Sequence, residues 1–76
     1  MQAYVLIKAN IGDIYPALGI LRRTRGVISA EAVFGPHDIV ALIEAEKLAE
    51  LDNLVNRQIA SMAEITDTTS CILQNM

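Results

Sequence analysis

A single histidine, His37, and a single cysteine, Cys71, are the most obvious reactive groups of this chain, and they fall in different segments. A zinc-type centre needs three or four convergent ligands, and His37 with its neighbour Asp38 supplies only two. Cys71 lies at the apolar end of a segment with strand character, where a thiol reads as a buried, inert side chain rather than a nucleophile. The carboxylates Glu44, Glu46 and Glu50 read as the solvated end of a strand and the polar face of a helix. No glycine-rich phosphate loop is present, because Gly12 and Gly26 only bracket a helical segment. A small cofactor-independent enzyme would have to draw its catalytic groups from Tyr4, Tyr15, His37 and Glu44. So thin a set argues against an enzyme, and neither a metal nor a cofactor is expected.

Two clusters remain. Arg22-Arg23-Thr24-Arg25 is the one basic feature, readable as an anion or nucleic-acid contact. At the end of a helix, however, positive charge complements the dipole, and that reading is preferred. The net charge of −3 opposes the phosphate neutralisation on which free-standing nucleic-acid binding rests. Aromatic content of 4% without tryptophan removes the stacking platforms of single-strand binders. The second cluster is Gly35-Pro36-His37-Asp38, set between two apolar runs. A plain hairpin would accept Asn-Gly. Here the four residues are either turn chemistry, with Pro fixing φ and Asp bonding a nearby backbone N–H, or a ligand contact. The residues alone leave both open.

The elements that must hold these groups are delimited by clear punctuation. Residues 3–9 form a β-branched run of strand length, stopped by Asn10 and Gly12. Ile14, Ala17, Leu18 and Leu21 then recur at helical spacing. Asp13 suits the N-cap, Pro16 falls in the first turn where its missing N–H costs nothing, and Gly26 suits the position just past the end. Residues 27–34 read as a second strand, 35–38 as a tight turn and 39–45 as a third strand. Residues 46–62 carry a helical stripe of Leu48, Leu51, Val55, Ile59 and Met62, and residues 65–73 return to strand character. The order βαββαβ with right-handed crossovers predicts a ferredoxin-like α+β fold: a four-stranded antiparallel sheet with two helices on one face. A single domain over residues 1–76 is expected.

The sheet has two apolar faces. Along the first strand Ala3, Val5, Ile7 and Ala9 share one side, and Tyr4 and Leu6 share the other with Lys8. Along the third strand Ile39, Ala41, Ile43 and Ala45 share one side, with Val40, Leu42 and Glu44 opposite. Two helices cover only one of these faces. Tyr4, Leu6, Val40 and Leu42 would then expose an apolar patch of roughly a few hundred Å², the range that marks interaction sites. A second copy, packed sheet to sheet, is the expected cover. A core built from 76 residues is marginal by itself, which points the same way. Hydrophobic content is 53% and mean hydropathy +0.37, yet no run approaches the roughly 18 apolar residues of a membrane span. The first ten residues lack a basic n-region, so they do not read as a signal peptide, and a cytoplasmic location is expected.

The motif Arg25-Gly26-Val27, then Ala30 and the unbroken stretch Ala32-Val33-Phe34-Gly35-Pro36-His37-Asp38-Ile39-Val40-Ala41-Leu42-Ile43-Glu44-Ala45, resembles the regulator module of Lrp/AsnC transcription factors, the RAM domain. The hallmarks are a Gly-Val before the second strand, Gly-x-x-Asp before the third, and Thr-x-Thr in the fourth. Thr68-Thr69-Ser70 gives Thr-x-Ser, a mild departure. The resemblance runs from Ala3 to Leu73. It implies sheet-to-sheet dimers assembling into octamers or decamers, with a small amino acid bound near the turn between strands two and three. By this resemblance Gly35, Pro36, His37 and Asp38 contact the ligand, and Thr68 and Ser70 add hydroxyls. Because the chain starts at strand one, it implies a stand-alone module without its own DNA reader. Such a module would act by joining full-length relatives or by sequestering ligand.

Overall fold

The computed structural model describes residues 1–74. Strand β1 is Gln2–Ala9, helix α1 Ile14–Arg22, β2 Val27–Ala32, β3 Ile39–Glu44, α2 Leu48–Asn53 and β4 Ile65–Ile72. The α2 helix runs on through Leu54–Ile59 in π form, where Ala60 N–H donates to the Val55 carbonyl, five residues back, at 2.7 Å. The sheet order is β2-β3-β1-β4, with every neighbouring pair antiparallel. This is the predicted ferredoxin-like topology.

The alternation read from the sequence decides the core. Ala3, Val5, Ile7, Ile39, Ala41 and Ile43 are fully buried, and they join Ala17 and Leu21 of α1 and Leu51, Val55 and Ile59 of the second helix in one cluster. Both helices therefore lie on the Ala3 face. Burying each branched side chain of this set contributes about 1.5–3 kcal/mol.

Several local expectations are corrected. The Asp13 carboxylate makes no capping bond. The helix is entered through a backbone turn in which Asp13 N–H donates to the Asn10 carbonyl, with Gly12 at φ 88. Arg23 caps the other end, so Gly26 lies beyond the helix and opens β2 instead. β2 stops at Ala32, two residues before the predicted end, because Asp38 N–H turns away to the Ile7 carbonyl of β1. Residues 34–37 are thereby left without a strand partner, and the tight turn becomes a wider loop. The second helix begins at Leu48 rather than at residue 46, and Leu48 is exposed. Leu54 joins Val55 in the core; three residues beyond Leu51, it lies on the same helical stripe.

Gly26 has φ 95, and a Cβ built there would lie 2.8 Å from Leu54 Cδ2 and 3.4 Å from the Glu44 carbonyl oxygen. Both the backbone conformation and the space demand glycine. Gly26→Ala should lower the unfolding free energy by about 1–3 kcal/mol, visible as a reduced urea midpoint at unchanged slope. An unaltered midpoint would contradict this account of the turn.

Candidate functional site

The loop between β2 and β3 is organised by Asp38. Its backbone N–H donates to the Ile7 carbonyl at 2.8 Å, and its carbonyl accepts from Val33 N–H at 2.9 Å. Its carboxylate Oδ2 accepts from Ala9 N–H at 2.9 Å. One half-buried residue thus ties together the ends of β1, β2 and β3. The bond to Ala9 matters because the β1–β4 register shifts between Lys8 and Ala9, so that the end of β1 is irregular. This is the turn-chemistry role that the sequence left open. It uses one carboxylate oxygen only: among the described residues Oδ1 accepts no hydrogen bond. The N–H groups of Phe34, Gly35 and His37 are likewise unengaged among the described residues. Gly35 has φ 153, a conformation open to glycine, and it leaves the loop backbone uncovered.

Gly35 and Asp38 line a pocket of about 270 Å³, whose remaining wall comes from Ile14 and Tyr15 of α1 and from Ala32, Val33 and Phe34. Pro36 and His37 do not line it; Pro36 is exposed and His37 half-buried. Thr68 and Ser70 lie elsewhere. They pair with Ile7 and Val5, face the helices, and line a second pocket of about 160 Å³ against Leu51, Asp52, Val55 and Asn56 of the second helix. Within one protomer the loop and the two hydroxyls therefore do not meet. The wall residues Ile14, Tyr15, Val33 and Phe34 were not singled out from the sequence for this role. Their only signal there is an apolar pair immediately before each of the Pro16 and Gly35 breaks.

The other sheet face is open. Across it Tyr4 pairs with Leu42 and Cys71, and Leu6 with Val40 and Thr69. Tyr4 is 42% exposed, and Leu6, Val40 and Leu42 are half-buried. Ser29 and Glu31 of β2 pair with Leu42 and Val40 at one border, and Lys8 and Asp67 are paired at one end. The patch has an apolar centre and a polar rim. Cys71 is exposed, contrary to the buried thiol expected, because pairing with Tyr4 puts it on this open face.

The remaining reactive groups are scattered. Tyr15 lies at the loop pocket and Tyr4 on the open face. Glu44 borders a shallow depression at the opposite end of β3, with Arg25, Glu46 and Glu50. Arg22 is absorbed by the fold: its Nε donates to the Ala30 carbonyl at 2.9 Å and its Nη2 to Glu31 at 3.2 Å. No group of three or more His, Cys, Asp or Glu side chains converges among the described residues, and no helix among them is long and apolar enough to cross a membrane.

The fold is shared with solved structures. FFRP-DM1 is 26% identical with a TM-score of 0.93, over 96% of this chain and 97% of that one. AsnC of E. coli is 22% identical with a TM-score of 0.88, over 97% of this chain but 51% of its own length. The transcriptional regulator NMB0573 of Neisseria meningitidis, solved in complex with L-Met, is 18% identical with a TM-score of 0.84, over 99% of this chain and 51% of that one. This chain thus spans about half the length of those two regulators, and the last two likenesses speak for the fold alone. No curated protein matches the chain. The model of the Lrp/AsnC ligand binding domain matches residues 2–75, and the chain belongs to that family of effector-binding modules.

Proposed function

We propose that this domain binds a small α-amino acid at the loop pocket and assembles through its open sheet face. The observation that carries the reading is the pairing of a free acceptor with free donors at one pocket. Asp38 Oδ1 can accept from an α-ammonium, and the N–H groups of Phe34 and Gly35 can donate to an α-carboxylate, with charge-assisted hydrogen bonds at both ends of the head group. The L-Met complex of NMB0573 is consistent with an amino-acid ligand. Thr68 and Ser70 enter the same site only where a neighbouring protomer brings its β4 surface to the loop. That geometry agrees with dimers assembling into octamers or decamers. Direct contact with nucleic acid is not part of this function: α1 is followed by a strand, so these elements hold no helix-turn-helix, and regulation would act through full-length relatives. The alternative of a dimeric α+β barrel enzyme is not favoured, because Tyr4, Tyr15 and Glu44 do not share a cavity.

A thermal-shift screen of the chain against the twenty amino acids, with the mass in solution measured alongside, tests this directly. At least one amino acid should raise the melting temperature by about 4–8 °C, the shift that roughly 1 kcal/mol of stabilisation gives a domain of this size, and the mass should be that of a dimer or a larger assembly of the 8.3 kDa chain. No stabilising amino acid, or a monomer at micromolar concentration, would refute the corresponding half.

A further inference from the structure

The loop pocket is built unequally. Its polar groups are gathered at Asp38 and the loop backbone, and the rest of its wall is aliphatic and aromatic. Tyr15 is 76% exposed, Phe34 108% and Val33 39%. Single exposed apolar residues are ordinary, but these three stand around one depression, together with the half-buried Ile14. Neither Lys, Arg nor His lines the pocket, and Asp38 is its one charged side chain.

We propose that the pocket selects amino acids with aliphatic or aromatic side chains and rejects those with charged ones, with Tyr15, Val33 and Phe34 as the residues that set the preference. The inference rests on the head-group assignment above, since Asp38 and the loop N–H groups are what aim the ligand side chain at this wall. A cationic or anionic side chain in that position gives up hydration without gaining a partner. An anionic one also approaches Asp38, a like charge. An apolar side chain covers Tyr15 and Phe34 and gains what they gain. At about 270 Å³ the pocket falls just below the roughly 300–1,000 Å³ of sites for larger ligands, which suits one free amino acid rather than a peptide.

Titration calorimetry on the full chain with L-leucine, L-phenylalanine, L-alanine, L-aspartate and L-lysine tests the proposal. Leucine or phenylalanine should bind about 10- to 200-fold tighter than alanine, the range for apolar groups gained in an apolar pocket, and aspartate and lysine should bind more weakly still. Binding of aspartate or lysine as tight as that of leucine would overturn the selectivity and leave the head-group site standing. No heat with any of the five, backed by no hit in the twenty-member screen, would overturn the site and the selectivity together. Phe34→Lys supplies the second arm, because an exposed side chain can be exchanged without disturbing the core. It should weaken leucine about tenfold or more. Unchanged leucine affinity in that variant would place the ligand away from this wall and overturn the inference.

Discussion

Leu42→Asp is expected to convert the assembled protein into a folded monomer of 8.3 kDa. Leu42 pairs with Tyr4 across the two central strands, at the middle of the open face, and is only half-buried in a single chain. In the protomer a carboxylate there stays hydrated. In a sheet-to-sheet dimer it would be buried without a partner, at a cost of several kcal/mol. A two-fold interface would incur this cost twice and bring two like charges towards each other. Because about 1.4 kcal/mol is a tenfold change in affinity, the substitution should weaken the dimer by roughly a thousandfold or more. Light scattering should show the smaller particle, and the circular dichroism spectrum should keep its native form. Ile43→Asp is the contrasting variant. One residue along, the side chain points to the other face and is fully buried in the core, so that substitution should unfold the protein. A Leu42→Asp chain that remains a dimer would exclude the open face as the contact.

That pair of neighbours also shows why much of the fold is legible in the sequence. A period of two divides each strand into two sets, and although residues 3–7 and 39–43 are apolar on both sides, Lys8 and Glu44 mark the Tyr4 and Leu42 set as the one turned away from the helices. The element order and the hairpin followed from the same pattern and from the breaks at Asn10, Gly26 and Gly35. The misreadings came where one backbone hydrogen bond overrides composition. Asp38 N–H reaches across to Ile7 and ends β2 at Ala32, although Val33 and Phe34 are good strand formers. The second helix passes into π form after Asn53, and no local preference for Leu, Val or Asn announces it. Cys71 is exposed because its pairing with Tyr4 sets it on the open face, which the apolar character of the strand end does not reveal.

The candidate site was legible in part for a related reason. Gly35 and Asp38 can be picked out because turn geometry and carboxylate chemistry restrict which residues serve. Tyr15 and Phe34 carry no such restriction. They come to one pocket only because the β1–α1 connection and the β2–β3 loop lie at the same end of the sheet. Thr68 and Ser70 share one strand face, as alternation predicts, and within one protomer that face lies against the second helix rather than the loop.

Substitution of Asp38 separates the fastening role that the structure gives it from the ligand contact proposed for it. Asp38→Ala removes the acceptor for Ala9 N–H along with the carboxylate, so both stability and ligand affinity should fall. Leaving a half-buried donor unpaired costs about 1–3 kcal/mol of folding free energy. Asp38→Asn keeps an amide oxygen where Oδ2 stands and removes only the negative charge, so the tie between β1 and β3 should survive and the melting temperature should stay close to that of the parent. If the carboxylate pairs with an α-ammonium, both variants lose about 2–5 kcal/mol of binding, roughly 30- to several-thousand-fold in affinity. The loop pocket lies at one end of the strands and Leu42 at the centre of the open face, so the mass in solution should not change with Asp38→Asn. Calorimetry with the amino acid that stabilises the parent protein reads the outcome. A stable Asp38→Asn chain that has lost its ligand makes Asp38 the ammonium partner. A stable Asp38→Asn chain that binds as tightly as the parent reduces Asp38 to a fastening of the sheet, and the head-group site must then be sought at another surface.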